Sequence, residues 1–422
     1  MDAQDLRRLQ PDLDVFLARY APLFGRDEAQ AHAQRFVQGL LLGGERRSVE
    51  NIAEAIDGCV VRSLQKFIAQ STWQAADVLA ELRQQVAETW HDPEAVLNVD
   101  ETGFPKKGTK SVGVKRQYSG TLGRTDNCQV GVFLNYWGQP GHTFLDRRLF
   151  LPQEWADDTE RRAAAGVPAS VVFRTKPALA LEMVADAVAS GLAFRWVGGD
   201  SLYGDSPTFV QGVRALSKWY VLDTSSAAHV WLQEPEIIPA GTQPARGRPT
   251  TQARAATKPV PVPEAVAHLP ASAWQPVAVA EGSQGPRMYE YAELQVWFSE
   301  EGLPSGPERL LVRRSLSQQE TDVKYQRSNA PATIPLAQVA AVGGCRWSIE
   351  QDIQAAKGEC GLDEYETRGW LGWHHHTALS VLALWFLAWQ RQRLGEKRAP
   401  AQRARSAGRP RPSARPARVG CR

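Results

Sequence analysis

A strand-like segment that runs directly into two carboxylates is the feature that most constrains this chain. Residues 96–99 (VLNV) predict a short buried strand, and Asp100 and Glu101 follow it at once. Gly103 and Pro105 predict that the strand stops there. A carboxylate at the end of a central strand is held on a rigid element and faces a cleft. We therefore predict that Asp100 is the first ligand of a two-metal site; the alternative is an aspartate that only caps the next turn.

Two lysines follow the acid pair and indicate an anionic substrate. Lys106 and Lys107 lie just beyond the predicted strand, where their charges would attract a phosphate backbone. The chain of 422 residues has a formal net charge of only +3. Binding to nucleic acid would therefore depend on where the basic residues are placed, because the molecule as a whole is not a polycation.

The composition predicts a folded protein of two or three domains, since 43% of its residues are hydrophobic and 23% are charged. Its five cysteines are scattered and include no Cys-x-x-Cys pair, which argues against a zinc ribbon and a disulfide framework. This usage predicts a reducing cytoplasm, in association with the nucleoid if DNA is the partner. The N-terminus has no apolar signal core, and no apolar run is long enough to span a bilayer, so we expect no membrane partner.

Changes in periodicity divide the chain into four parts. Residues 1–94 have helical spacing and predict a DNA-binding helical domain, although a solvated helix face explains its basic side chains equally well. Residues 95–223 together with 336–394 predict an α/β (α+β) core, a mixed sheet flanked by helices. Residues 224–335 are proline-rich and predict an inserted β-rich element. Residues 395–422 have the composition of a basic, disordered tail.

A second predicted strand also ends in an aspartate. Residues 194–198 predict a buried strand, and Gly198 and Gly199 allow its backbone to approach its neighbours closely. Asp200 follows at once and repeats the pattern of Asp100. Asp205 is the competing candidate, but it lies past a turn and is better explained as a helix cap.

A glutamate on a helix completes the predicted set. Helical spacing places Arg346, Glu350 and Lys357 on one face. This predicts a metal-ligand glutamate beside two phosphate-binding cations; the alternative is an exposed face with salt bridges. The three consecutive histidines at 374–376 cannot all face one metal on a helix, and we predict that they are partly exposed.

These three acids suit a phosphodiester site with two divalent ions about 3.5–4 Å apart. Carboxylate ligands and few histidines favour Mg²⁺ or Mn²⁺ over zinc. Asp100 is best placed to bridge the ions, and Arg346 and Lys357 would clamp phosphates near the scissile bond.

Three segments together resemble the catalytic blocks of bacterial insertion-sequence transposases with an Asp-Asp-Glu (DDE) triad. They are NVDETGFPKKG, GDSLYGDS and RWSIEQDIQAAKGECGLDEYETRGWLGWHHH. The resemblance implies a ribonuclease-H-like core with an inserted β domain, and it carries the triad over to Asp100, Asp200 and Glu350. Arg346, Glu350 and Lys357 also match a Tyr–Arg–Glu–Lys signature of these proteins. Gly343 stands where that signature has its tyrosine, which leaves open how the DNA end is held.

The resemblance implies a transposase that cuts transposon ends and joins the freed 3′-hydroxyl to target DNA. It implies two Mg²⁺ or Mn²⁺ ions as cofactors, double-stranded DNA as partner, and a homodimer that bridges two ends. One alternative is a domesticated DNA-binding regulator that retains the fold without turnover. Another is a cellular nuclease of the same fold.

Overall fold

The structure is a computed structural model, and it describes residues 3–42, 46–120, 123–243, 250–282, 285–316 and 323–406. The last part of the predicted basic tail, residues 407–422, lies outside these ranges. The helices, in chain order, are α1 (Ala3–Ala18), α2 (Asp27–Leu41), α3 (Val49–Ala55), α4 (Val61–Gln70), α5 (Ala75–Thr89), α6 (Gln153–Asp157), α7 (Thr159–Ala164), α8 (Lys176–Ala189), α9 (Ser201–Gly204), α10 (Pro207–Ala215), α11 (Val262–Val266), α12 (Leu336–Gly344), α13 (Trp347–Cys360) and α14 (Trp370–Ser406). None of these helices is both long and apolar enough to cross a bilayer.

The strands, in chain order, are β1 (Val96–Pro105), β2 (Lys115–Ser119), β3 (Arg124–Gly138), β4 (Gly141–Phe150), β5 (Trp196–Gly199), β6 (Trp219–Thr224), β7 (His229–Trp231), β8 (Ile237–Ile238), β9 (Arg254–Ala255), β10 (Val260–Pro261), β11 (Gln275–Gly282), β12 (Gly285–Glu300), β13 (Leu303–Ser315) and β14 (Lys324–Ser328).

Five strands form a mixed sheet in the order β4-β3-β1-β5-β6. The pairs β4–β3 and β3–β1 are antiparallel, whereas β1–β5 and β5–β6 are parallel. The helix α8 connects the antiparallel half to β5, and α10 connects β5 to β6. Three meandering strands followed by two parallel ones, with helices on the faces, are the ribonuclease-H-like arrangement, so the predicted fold class is confirmed.

The inserted region continues this same sheet. Its strand β14 pairs antiparallel with β6, and the sheet then extends through β13, β12, β7 and β10. Most strands of the inserted region are therefore hydrogen-bonded into the sheet of the core, and only the short pair β8–β9 forms a separate sheet among its described residues. Gln326 of β14 lies opposite Asp223 of β6 in the register.

Several predicted boundaries are wrong. β1 continues past Asp100 to Pro105, because residues 100–105 pair with β3 instead of leaving the sheet. β2 begins at Lys115, after a turn at Gly113 whose positive φ of 72° suits glycine. β4 was not predicted, since its sequence GHTFLDRRLF mixes charged and apolar residues.

The N-terminal helices pack against α14, whose residues 375–386 are all buried. α14 contacts α2, α4 and α5 on one side and β4 on the other. Its first turns contain the three histidines that we predicted to be partly exposed; this is wrong for His375 and His376, which are buried, whereas His374 is half-buried. His375 bonds to the carbonyl oxygens of Ile68 and Trp73, and His376 bonds to that of Gly361. Burial lowers the pKa of His376 to about 4, so it is a neutral core residue.

The helix α14 also extends further than predicted. Its backbone continues to Ser406, so residues 395–406, assigned to a disordered tail from their composition, continue the helix.

Candidate active site

Three aspartates lie side by side where the parallel strands β1, β5 and β6 meet. Val99 pairs with Gly199, and Gly199 pairs with Leu222. The next residue of each strand is therefore an acid at the same level of the sheet: Asp100, Asp200 and Asp223. We call these three residues the acidic edge.

Close backbone packing brings the strands of the acidic edge together. A Cβ atom at Gly198 would lie 2.2 Å from the side-chain oxygen of Asn98 on β1. A Cβ atom at Gly204, in the short helix after Asp200, would lie 2.0 Å from the carbonyl oxygen of Asp223. Real Cβ atoms do not approach other atoms this closely, so glycine is required at both positions.

Two carboxylates of the acidic edge, those of Asp100 and Asp200, are difficult to ionise. Burial raises the pKa of Asp100 to about 7, and the negative charges of Asp200 and Glu101 add to this effect. Burial and the charge of Glu101 also raise the pKa of Asp200. Backbone amides offset part of the effect, because Asp100 accepts from the N–H of Glu101 at 2.7 Å and Asp200 from that of Leu202 at 2.9 Å. Uncompensated negative charge of this kind is typical of a cation site.

Glu350 reaches the acidic edge through Arg346. The Arg346 Nη1 atom lies 2.8 Å from Glu350 Oε1 and 3.8 Å from Asp100 Oδ2, and its Nε lies 3.5 Å from Asp223 Oδ2. Burial lowers the pKa of Arg346, but the charges of Asp223, Glu350 and Asp100 outweigh burial and raise it. The Glu350 side chain remains 52% exposed. The structure therefore brings the three predicted acids to one place, with an arginine between them.

A buried polar network holds α13, the helix of Glu350, against the sheet. Asn98 of β1 donates to Asn135 of β3 at 3.0 Å and to Ser348 of α13 at 3.3 Å. Asn135 donates to Asp352 at 2.7 Å, and His142 of β4 bonds to the other oxygen of Asp352 at 2.7 Å. Because Ser348 and Asp352 face the sheet, Glu350 on the opposite face points out toward the solvent.

Glu101, which follows Asp100 directly, is neutralised inside the protein. Its two carboxylate oxygens accept from Lys176 at 2.9 Å and from the hydroxyl of Tyr203 at 2.8 Å. Adjacent residues of a strand point to opposite faces, which separates the role of Glu101 from that of Asp100.

The predicted DNA-binding lysines have different surroundings. The Lys357 ammonium donates to the hydroxyl of Thr102 at 2.9 Å, and burial lowers its pKa. Lys106 donates to the carbonyl oxygen of Tyr365 at 3.2 Å and lies over its ring, and burial lowers the pKa of Lys106 to about 8. Lys107 is exposed. Lys357 and Lys106 thus hold β1 to the segment around α13.

Lys106 and Lys107 line a cleft of about 910 Å³ between the N-terminal helices and the core. Arg46 and Arg368 also line it, together with Glu366, which pairs with Arg46 at 2.8 Å. Within the described ranges, the residues that line this cleft do not include the triad. Lys106 and Lys107 therefore line a cleft apart from the triad, together with the basic residues Arg46, Arg47 and Arg368.

Asp223 is the site residue that the sequence prediction missed. It follows the apolar strand segment YVL, which is the same pattern that identified Asp100 and Asp200. Asp205, the rejected alternative, accepts from the hydroxyl of Thr224 and the N–H of Ser225. It is a structural contact between α9 and the end of β6.

The donor set fits a hard divalent cation. The acidic edge offers carboxylate oxygens, and burial together with the charges of Asp200 and Glu101 raises the pKa of Asp100 although Arg346 acts to lower it. In the part of the chain that the structure describes, no three metal-ligating side chains already converge on one point. Glu350 would have to exchange Arg346 for a cation to join the aspartates.

Comparison with known proteins identifies the family. The profile of the DDE superfamily endonucleases matches residues 19–286, which is more than half of the chain and includes Asp100 and Asp200. The chain belongs to this family. The family profile ends before α13, so the match to a DDE superfamily endonuclease does not extend to Glu350.

One relative of this DDE superfamily endonuclease is the probable transposase for insertion sequence element IS701 of Microchaete diplosiphon. The two are 31% identical over 230 residues, which are 54% of this chain and 56% of the relative. The match thus spans little more than half of the relative's length. It confirms the predicted resemblance to insertion-sequence transposases. A solved piggyBac transposase synaptic complex with hairpin DNA aligns with a TM-score of 0.44 and 11% identity, over 88% of this chain and 68% of that one.

Proposed function

We propose that this protein is a transposase that cuts the ends of an insertion sequence and joins the 3′-hydroxyl to target DNA. The observation that carries the proposal is that Asp100 and Asp200 directly follow the parallel-paired residues of neighbouring strands, while Arg346 contacts both Asp100 and Glu350 of α13. Family membership and the similarity to the IS701 transposase support the same reaction class.

Asp100, Asp200 and Glu350 would hold two Mg²⁺ or Mn²⁺ ions. Such ions, when bound, supply charge stabilisation for the attacking and leaving oxygens of a phosphodiester. Burial and neighbouring negative charge raise the pKa values of Asp100 and Asp200, and a bound cation would stabilise both ionised carboxylates. Both carboxylates accept a backbone N–H, which fixes the direction of the remaining oxygens.

The chain's own cations would position the DNA strand. Arg346 lies beside the acids, so its guanidinium can exchange a carboxylate for a phosphate oxygen of the scissile strand. Lys107, with Arg46 and Arg368 in the adjoining cleft, would contact the backbone of double-stranded DNA further along. Lys357 and Lys106 would keep β1 in place. A homodimer would bring two transposon ends together.

The test is cleavage of a labelled DNA fragment that carries the element's own terminal sequence. We expect Asp100→Asn, Asp200→Asn and Glu350→Gln each to lower the Mg²⁺-dependent cleavage rate by about 1,000-fold or more, while retaining DNA binding in a gel-shift assay. Asp205→Asn is the matched control, because Asp205 contacts only backbone and hydroxyl groups at the end of β6. Full activity in any triad variant would remove that residue from the site. Binding of the ends by the native protein without metal-dependent cleavage would instead support the regulator.

A further inference from the structure

The inserted region touches the acidic edge through Gln326 of β14. Its side chain is buried, and its amide nitrogen donates to Asp223 Oδ1 at 2.8 Å. The other oxygen of Asp223 faces Arg346 Nε at 3.5 Å. A continuous line of contacts therefore runs from the insert, through Asp223, to the arginine that lies between Asp100 and Glu350.

The space for Gln326 is provided by Gly343 of α12. A Cβ atom at this glycine would lie 2.8 Å from the amide nitrogen of Gln326 and 2.9 Å from its amide oxygen. Gly343 does not have a positive φ, so glycine is needed here only because a larger side chain would collide with Gln326. Position 343 is also where the Tyr–Arg–Glu–Lys signature has its tyrosine. In this chain, a glycine there leaves room for a glutamine that reaches the acidic edge.

The guanidinium of Arg346 divides its contacts between two sides. Its Nε faces Asp223, whereas its Nη1 faces Glu350 at 2.8 Å and Asp100 at 3.8 Å. A guanidinium is planar and its donors have fixed directions, so an anion that holds Nε also limits how far Nη1 can move toward the other acids. Without Asp223, Asp100 and Glu350 would be the nearest acids left to this cation.

We propose that Gln326 and Asp223 position Arg346, holding its Nε toward β6 so that its Nη1 does not close on Asp100 and Asp100 stays open to divalent cations. This inference rests on the two-cation site proposed above. A positive charge that settles on Asp100 and Glu350 competes with Mg²⁺ for the same oxygens, because charges within 4 Å interact strongly in a half-buried site. Asp223 is thus a positioning residue, and it links the insert to the affinity of the site for metal.

The test measures Mn²⁺ binding to the full chain without DNA, by electron paramagnetic resonance of the free ion. We expect Asp223→Asn to raise the dissociation constant about five- to tenfold, since Arg346 then competes more strongly. Arg346→Gln should remove the competitor and lower the dissociation constant. In the Arg346→Gln background, Asp223→Asn should change the dissociation constant by no more than twofold.

Two results would overturn the positioning role. The first is an Asp223→Asn variant that binds Mn²⁺ as the native protein does. The second is an equal loss of affinity with and without Arg346, which would make Asp223 a direct ligand. The Asp100→Asn variant tests the proposed function independently of the positioning role. If this variant still binds Mn²⁺ normally, the proposed two-cation site is wrong.

Two further variants test the insert's part and replace Asp223→Asn if it does not fold. Gln326→Met removes the amide donor at nearly constant volume, and Gly343→Ala forces Gln326 to shift. Each should weaken Mn²⁺ binding two- to threefold, and only while Arg346 is present. Gly358→Ala on α13 is the matched control, because a Cβ atom there meets nothing within 4 Å. Unchanged affinity in both test variants, with an unchanged melting temperature, would exclude the link to the insert.

Discussion

Two clusters of acidic residues differ in the number of arginines that contact them: one lies where the insert meets the core, and the other is the acidic edge. Where the insert meets the core, Arg327 contacts Glu300 at 2.7 Å and Glu308 at 2.6 Å, and Arg214 contacts both glutamates as well. We call these four residues the seam network. Burial works to raise the pKa of Glu308, but the charge and hydrogen bonds of Arg327 outweigh it, so this pKa is lowered.

At the acidic edge, the acids outnumber the arginines that contact them. Asp100, Asp223 and Glu350 all contact one arginine, Arg346, whose charge also acts on Asp200. Burial and neighbouring negative charge raise the pKa of Asp100 to about 7. Two arginines for two glutamates make a structural joint, whereas one arginine for four acids leaves negative charge for an external cation. The difference shows how buried acids that stabilise a fold can be told from those that await a ligand.

The two regions should differ most clearly in how much stability is lost when an arginine is removed from each. Arg327→Met leaves two buried glutamates short of a partner, and we expect the free energy of unfolding to fall by about 3–5 kcal/mol. Arg346→Met, its counterpart at the acidic edge, should cost less than about 1 kcal/mol, because its side chain is partly exposed and its acids can be solvated. Urea unfolding of both variants provides the measurement. Equal losses would remove the distinction between the two regions.

Removal of an acid should have opposite effects in the two regions. The pKa of Asp100 is raised in the folded protein, from 3.8 to about 7, so ionisation of Asp100 destabilises the fold as the pH rises through this window. Asp100→Asn should therefore increase the free energy of unfolding by about 1–2 kcal/mol at pH 8 and leave it unchanged near pH 4. Glu308→Gln should decrease it at pH 8. Thermal unfolding at both pH values measures this, and a destabilising Asp100→Asn at pH 8 would contradict the comparison.

The sequence predicted the acidic edge better than it predicted the surroundings. A buried strand followed by an acid is a local signal, and it identified Asp100 and Asp200 because the side chains that matter directly follow the apolar run. The same signal was present at Asp223, but its role depends on Arg346 and Gln326, which are 123 and 103 residues further along the chain. Contacts between residues so far apart in the chain cannot be detected in a short window of sequence.

The wrong predictions have a similar cause. Histidines are usually polar surface residues, but His375 and His376 are buried because distant backbone carbonyls accept their hydrogen bonds. β4 was missed because its charged residues, including Asp146 and Arg147, are buried and paired instead of alternating with the core. In each case a partner from another element, invisible to local periodicity, decided the burial of a polar side chain.

The affinity of the acidic edge for a divalent cation should depend on pH. Asp100 must lose its proton to bind a cation, and half of it is protonated near pH 7. We expect Mn²⁺ to bind about tenfold more tightly at pH 8 than at pH 6. Titration calorimetry in buffers of both pH values measures this change. Asp100→Asn should bind Mn²⁺ weakly at both pH values, and a native protein with constant affinity would contradict the raised pKa.

The smallest expected effect on the cleavage rate is at Glu101, which directly follows Asp100, the site of a large expected effect. Glu101 has its own internal cation and hydrogen-bond donor, Lys176 at 2.9 Å and Tyr203 at 2.8 Å, so it resembles the seam network although it follows Asp100 in the chain. Glu101→Gln keeps an acceptor for either partner and should lower the cleavage rate by less than about fivefold, against about 1,000-fold for Asp100→Asn. Rate measurements on the two variants at saturating Mg²⁺ test this. A loss as large as that of Asp100→Asn would mean that internal neutralisation does not exclude an acid from catalysis.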